Sequence, residues 1–294
     1  MTIFNAEPYL HSAIDSVLAQ SFKSFDILCI ENGSTDDSME ILRSYSDPRI
    51  NIVELKENIG RTAALNMGLR LSKAEFIAIQ DADDIAYEDR LRLQLNHLDA
   101  NPEIVMLGGN FDLIINEKTS PAQKVPYTHS DIITSMSHRC PFAHTTVMFR
   151  RKEVLELGGY PEEFIYSQDF AMYLNIMKKF CVANLETTIG AHRLHPAQLT
   201  GIQSGSELRL NEDIHLFKKA AVQFNYTGTS HRLGCQWRAE LHLMIANIVH
   251  GKKSLSHIMS AISEAPLTSL TYLFVQMIKW PIRFGHRLIS KEKA

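Results

Sequence analysis

The amino-acid sequence predicts an α/β protein, a mostly parallel sheet flanked by helices and followed by a helical extension. Three observations lead there. Over the first two thirds of the 294 residues, short apolar runs alternate with stretches whose apolar residues recur three and four apart, as in βα units on a parallel sheet. Polar turns follow the apolar runs directly, at Thr2–Asn5, Glu31–Ser34 and Asp81–Asp84. From about Asp213 the strand signals fade and long helical patterns replace them. The expected division is a sheet domain over 1–205 and a helical extension over 206–294.

The elements follow in order. Only Met1–Phe4 precede the Asn5–Pro8 turn, although the strand feeding such a turn should be central in a parallel sheet, so either the chain starts late or the first strand is a stub. Pro8 suits a first helical position, and Leu10, Ile14, Val17 and Leu18 then recur at helical spacing. "DILCIE" (Asp26–Glu31) reads as a short buried strand. Asn32-Gly33 turns, and Ser34 with Asp37 forms a capping box for a helix through Ile41, Leu42 and Tyr45. The unit repeats with "INIVE" as strand, "RTAALNMGLRLS" as helix and "EFIAIQ" as strand. After the acidic turn a helix carries Leu91, Leu93, Leu95 and Leu98, and "EIVML" and "FDLII" read as two further strands.

Composition excludes several classes. With 45% hydrophobic and 21% charged residues and a formal charge of −3, the chain lacks the basic excess of a nucleic-acid binder. Its four cysteines, Cys29, Cys140, Cys181 and Cys235, are far apart, which fits a reduced cytoplasmic chain better than a disulfide scaffold. No secretory leader and no membrane span is expected, since Thr, Ser, Gln276 and Lys279 interrupt the most apolar stretch near the C-terminus.

The sharpest local feature is "IQDADDIAYEDR" (Ile79–Arg90), with three carboxylates in four positions after an apolar run. Like charges so close repel, increasingly as water is removed, so such a turn is either well solvated or holds a cation. Carboxylates at a strand end are hard oxygen ligands suited to Mg²⁺ or Mn²⁺, which bind one or two of them together with phosphate oxygens. His138, Cys140 and His144 have zinc-like spacing but lack a fourth ligand, and read as loop and core.

In this order, "NGSTDDS", "NIGRTAALNMGL" and "FIAIQDADD", with "PFAHTTVMFRR", "GGYPEEFIYSQDFAMYLNI" and "HRLHPAQLT" downstream, the chain resembles the family-2 glycosyltransferases over roughly residues 1–200. The resemblance implies the GT-A fold and a nucleotide-diphosphate sugar donor, UDP first. It places Thr2, Phe4 and Asn5 beside the nucleoside. Glu31 and Asn32 stand where the family carries an acidic pair, and an Asn carbonyl can still accept a uracil N–H. Arg61 would reach the diphosphate, Asp81 would hold the ribose or the metal shell, Asp84 would be a third member on the donor side, and Asp83 with His195 would hold the metal, Mn²⁺ or Mg²⁺. The family's "ED" pair reads Gln168-Asp169, which makes Asp169 the general base of an inverting transfer, of hexosyl or N-acetylhexosaminyl type. Implied too are a glycan or glycolipid acceptor and a role in lipopolysaccharide, capsule or exopolysaccharide assembly.

Two other readings stay open on the residues alone. One is a sugar-nucleotide binding module without turnover, motivated by the short first strand, Asn32 and Gln168. The other is an aspartyl phosphohydrolase, which also places a DxD after a strand but lacks here the usual following Thr or Val. At the far end Leu267, Leu270, Phe274 and Ile278, followed by Trp280, Arg283, Arg287, Lys291 and Lys293, suggest an amphipathic segment capable of peripheral contact with the inner face of the cell membrane.

Overall fold

The computed structural model describes residues 1–122, 124–196, 198, 207–248 and 252–264. The chain divides into two compact units, Met1–Ser204 and Gly205–Ala294.

The first unit opens with β1 (Thr2–Ile3), α1 (Glu7–Leu18), β2 (Ile27–Glu31), α2 (Ser38–Ser44), β3 (Ile50–Glu54) and α3 (Arg61–Leu71). The strands form a parallel sheet in the order β1-β2-β3, with Thr2 opposite Ile30 and Ile27 opposite Ile50. Its core holds Ile3, Leu10, Ile14, Cys29 and Leu42, all essentially inaccessible to water. The expected capping box at Ser34 does not form. The helix starts at Ser38, whose N–H donates to Asp36 Oδ1 (3.1 Å), while Ser38 Oγ accepts the Ala6 N–H (2.9 Å). Ser34 instead serves the Asn5 N–H (3.0 Å), so these hydroxyls tie β1 to the β2–α2 loop.

Next come β4 (Phe76–Ala78), β5 (Ile85–Ala86), α4 (Arg90–Ala100), β6 (Ile104–Ile115), β7 (Lys118–Pro121), α5 (His129–Ser135), β8 (Met148–Arg150), α6 (Arg151–Glu156), α7 (Gln168–Met177) and β9 (Cys181–Leu194). Their six strands form a second sheet in the order β4-β8-β6-β9-β5, with β7 hairpinned onto β6. This sheet is mixed: β6 and β9 run parallel, the other pairs antiparallel. The two strands expected at "EIVML" and "FDLII" are one strand, β6, continuous through Gly108-Gly109. Strands β5 and β9 approach closely at Gly190, where a Cβ would lie 2.7 Å from the Ile85 carbonyl oxygen. Only glycine admits that approach, which carries the acidic turn to the end of β9.

The second unit contains α8 (Glu207–Phe224), α9 (Gly228–Ile248) and α10 (Lys252–Glu264). Glu264 binds Lys218 Nζ and Arg238 Nε, each at 2.9 Å, and so links all three helices. Burial pushes the Glu264 carboxyl up, but the bonds from Lys218 and Arg238 outweigh it and hold its pKa below 4.5. A depressed folded-state value gives stability that is present above the unfolded value and lost as pH falls through the folded one. Glu264→Gln should therefore destabilise this unit at pH 7 by about 1–3 kcal/mol, and the deficit should vanish in acid, as read by denaturant melts at both pH values. Among the described residues no helix is long and apolar enough to cross a membrane. The amphipathic segment from Leu267 onward lies outside the described residues.

Candidate active site

The site lies where the β1–α1, β2–α2 and β4–β5 turns meet the end of β9. On the β1–α1 side, Asn5 adopts a left-handed conformation (φ +50°) and its Oδ1 accepts the Thr35 N–H at 2.8 Å. Buried Glu31 accepts the N–H groups of Ser34 (2.7 Å) and Gly33 (3.2 Å). Gly33 has φ +73°, and a Cβ there would sit 2.6 Å from the Glu57 backbone. Asn32, also buried, donates to Asn58 Oδ1 (3.1 Å) and accepts the Ile59 N–H at Oδ1 (3.0 Å). Asn5, Glu31 and Asn32 thus knit adjoining loops together. Thr2 is half-buried, and Phe4 leaves 46% of its surface exposed on this rim.

The three aspartates of the acidic turn have three different environments. Asp81 meets Arg61 at 2.8 Å and His144 Nδ1 at 3.4 Å. Burial pushes its carboxyl up, but Arg61, then His144 and His192, outweigh that and hold it far below the usual carboxylate range. Asp83 lies 3.0 Å from His195 Nε2. Burial first, then the charges of Asp84 and Asp81, push its carboxyl up, and His195 recovers only part of the shift. Asp84 is inaccessible to water, accepting the Arg193 N–H (2.7 Å) and pairing with His192 Nδ1 (3.0 Å).

The end of β9 therefore clamps the turn. Arg193 Nε donates to the Asp83 carbonyl oxygen (3.0 Å), its other arm reaches Glu117 (2.7 Å), and its guanidinium lies 5.0 Å from the Tyr9 ring centroid. Tyr9 in turn packs on His195, with centroids 4.4 Å apart. Of these residues, sequence reasoning singled out only His195. The alternation of His192, Arg193 and His195 at a strand end was the available signal.

Asp83 and His195 offer a carboxylate oxygen and an imidazole nitrogen, a donor set suited to Mn²⁺ or Mg²⁺. Asp83 stands in a local excess of negative charge, and buried His195 Nδ1 has no partner among the described residues. Among the described residues no three His, Cys, Asp or Glu groups gather into a metal cage. A cation here would take few protein ligands and draw the rest from a bound diphosphate.

On the opposite flank, Arg61 at the start of α3 also touches His144 Nδ1 (3.1 Å), whose Nε2 meets the Tyr160 hydroxyl (3.0 Å). The sequence reading placed His144 in the core. It is indeed buried, but as the joint between Arg61 and Tyr160. Asp169, half-buried in the first turn of α7, acts by its charge on Arg61, Tyr160 and Tyr173. Gln168 beside it is buried, and the orientation of its amide that satisfies both ends has the nitrogen donating to the Ile165 and Tyr166 carbonyls at 3.1 and 3.0 Å. A glutamate could not make those two bonds.

The loop leading to α7 is pinned to α3 by Asn66, which donates to the Tyr160 carbonyl (2.8 Å) and Glu162 (3.1 Å) and accepts the Tyr160 N–H (2.9 Å). Asn66→Ala would leave a buried backbone pair unsatisfied. It should cost about 2–4 kcal/mol in chemical denaturation.

The comparisons with known proteins show the class to which this fold belongs. Residues 1–158 match the family described as Glycosyl transferase family 2, more than half of the chain, and the protein belongs to that family. It is a glycosyltransferase with the GT-A fold. An uncharacterized glycosyltransferase of Haemophilus influenzae is 25% identical over 94% of this chain and 87% of its own. The amylovoran biosynthesis glycosyltransferase AmsE of Erwinia amylovora is 26% identical over 71% and 76%. Among solved structures, S. aureus TarS 1–349 with UDP-GlcNAc is similar with a TM-score of 0.65 at 17% identity, covering 90% of this chain and 80% of TarS 1–349. The mannosyltransferase PcManGT of Pyrobaculum calidifontis with GDP-Man and Mn2+ has a TM-score of 0.57 at 16% identity, covering 94% and 78%.

Proposed function

We propose that this glycosyltransferase is inverting and divalent-metal-dependent, moving a sugar from a nucleotide-diphosphate donor, UDP first, to a hydroxyl of a glycan or glycolipid in surface-glycan biosynthesis. One observation carries the reading: the charges of Asp81 and Asp83 from the β4–β5 turn and of Asp169 from α7 converge on Arg61. The complexes of TarS with UDP-GlcNAc and of PcManGT with GDP-Man support a nucleotide-sugar donor, and the role of AmsE in amylovoran biosynthesis supports a glycan product. A cytoplasmic location at the membrane's inner face suits that acceptor class.

In this reading Thr2, Phe4, Asn5, Glu31 and Asn32 shape the nucleoside rim. Arg61 and Asp81 face the ribose and diphosphate, and Asp84 serves the donor indirectly through His192 and Arg193. Asp83 and His195 would hold the metal, which when bound supplies positive charge against the departing diphosphate. Asp169 takes the acceptor hydroxyl proton on the face opposite the leaving group, which inverts the anomeric centre.

A melting screen tests the donor. UDP with Mn²⁺ should raise the melting temperature by about 5 °C at saturating concentration. GDP with Mn²⁺ should raise it less. Equal stabilisation by both nucleotides, or stabilisation without metal, overturns the assignment.

A further inference from the structure

Arg61 makes both of its side-chain contacts through one nitrogen. Its Nη2 meets Asp81 Oδ1 (2.8 Å) and His144 Nδ1 (3.1 Å), and among the described residues Nε and Nη1 have no partner. With 28% of the side chain exposed, that remaining edge of the guanidinium stays open to a ligand. Three of the five N–H donors of the fork are therefore free, and the groups holding Nη2 decide where they point.

His144 is itself firmly held. It stands in a single 3₁₀ turn, His144–Thr146, and the next residue, Thr145, accepts the Asp81 N–H at its hydroxyl (3.3 Å). Its Nε2 meets the Tyr160 hydroxyl (3.0 Å), with the two rings edge-on and their centroids 5.7 Å apart. A hydroxyl can donate or accept, so this bond survives either tautomer of the imidazole. Burial first, then the charge of Asp169, pushes the Tyr160 hydroxyl well above its ordinary pKa, which keeps it a neutral partner.

The chain of contacts returns to the helix it started from. The Tyr160 N–H and carbonyl are both taken by Asn66, which lies in α3 five positions after Arg61. Farther along the same loop, the Phe164 carbonyl accepts the Thr62 hydroxyl (3.0 Å). Arg61, His144, Tyr160 and Asn66 thus close a ring from α3 to α3. One contact fixes a distance, whereas a closed ring fixes an angle as well.

We propose that His144 and Tyr160 are positioning residues for the donor, which together hold the open edge of Arg61 toward its diphosphate. The proposal rests on the reading that Arg61 faces that group. A nucleoside has no diphosphate, so its binding is independent of the ring.

The test compares dissociation constants for UDP and uridine, each with Mn²⁺, on the 294-residue chain. GDP and guanosine replace them if the melting screen favours GDP. Tyr160→Phe removes one hydroxyl from a packed ring and should weaken UDP about fivefold, the usual worth of one hydrogen bond, while uridine changes by less than about twofold. His144→Phe removes both contacts and should weaken UDP by about tenfold or more, again sparing uridine. The double variant should match His144→Phe alone, because the Tyr160 hydroxyl acts through the imidazole. Equal losses for UDP and uridine would show a merely structural part and overturn the proposal, as would additive losses in the double variant. Unchanged UDP binding in Tyr160→Phe overturns it too, and that variant decides the matter if His144→Phe does not fold. Arg61→Gln separates the two readings. If it leaves the preference for UDP over uridine intact, Arg61 does not face the diphosphate and the donor reading falls together with this one. If it abolishes a preference that the Tyr160 and His144 variants retain, only the positioning role falls.

Discussion

Asp169→Asn is expected to lower kcat for sugar transfer by about 10²- to 10⁴-fold, the usual worth of a positioned general base, with little change in donor affinity. The substitution keeps size and hydrogen-bonding shape. Asp169 Oδ1 accepts the Phe170 N–H at 2.7 Å, and an Asn oxygen can do the same, so the start of α7 should stay in place. What disappears is the oxygen that takes a proton. The surroundings make this a clean substitution. Gln168 is tied to two carbonyls, and Phe170, Ala171 and Tyr173 are buried behind it, so the helix is held independently of the carboxylate. Titration calorimetry with donor nucleotide and Mn²⁺ should match the unsubstituted protein, while single-turnover transfer collapses. If donor binding collapses too, Asp169 belongs to the donor side and the base lies elsewhere.

How far the sequence carries depends on whether a signal is local. The βα alternation reveals β2, β3 and α3 because each is an uninterrupted run with its own period. The helix after the acidic turn is equally visible, yet two of its three buried residues are polar. Arg90, Gln94 and Leu98 are the buried residues of α4. Arg90 donates to the Ile79 carbonyl (2.7 Å) and Gln80 Oε1 (2.9 Å), and Gln94 donates to the Leu107 and Thr146 carbonyls. A hydropathy pattern assigns such residues to solvent, because it cannot know that backbone carbonyls from distant segments meet them there. Gly108-Gly109 misleads in the opposite direction, reading as a break between strands where β6 continues.

The site divides along the same line. Asp81, Asp83 and Asp84 stand together in the sequence and cannot be overlooked. Their different tasks come from partners 20 to 112 positions away: Arg61 and His144 for Asp81, His195 for Asp83, and His192 with Arg193 for Asp84. Glu31 shows the same limit. A carboxylate at a strand end suggests a ligand contact, and its position alone does not reveal that it also accepts the Gly33 and Ser34 N–H groups.

Asp83→Asn should reduce metal-dependent donor binding by about 10²- to 10³-fold, and at pH 7 without metal it should melt higher than the unsubstituted protein. The two effects share one cause. Burial, Asp84 and Asp81 raise the Asp83 pKa in the folded state, so folding without a cation is disfavoured once this carboxyl ionises. For a group raised on folding, the stability it contributes is present below the unfolded pKa and lost as pH rises through the folded one. An amide never ionises, and its oxygen can still face His195 Nε2, so the penalty disappears while the hydrogen bond survives. Added Mn²⁺ and UDP should reverse the ranking, because only the carboxylate gains from the cation. The distinguishing measurement is a pair of melting curves at pH 7 and a second pair near pH 4, where the metal-free difference should shrink. A variant that melts lower than the parent at neutral pH without metal would mean that the Asp83 charge is already compensated within the chain, leaving a cation nothing to relieve.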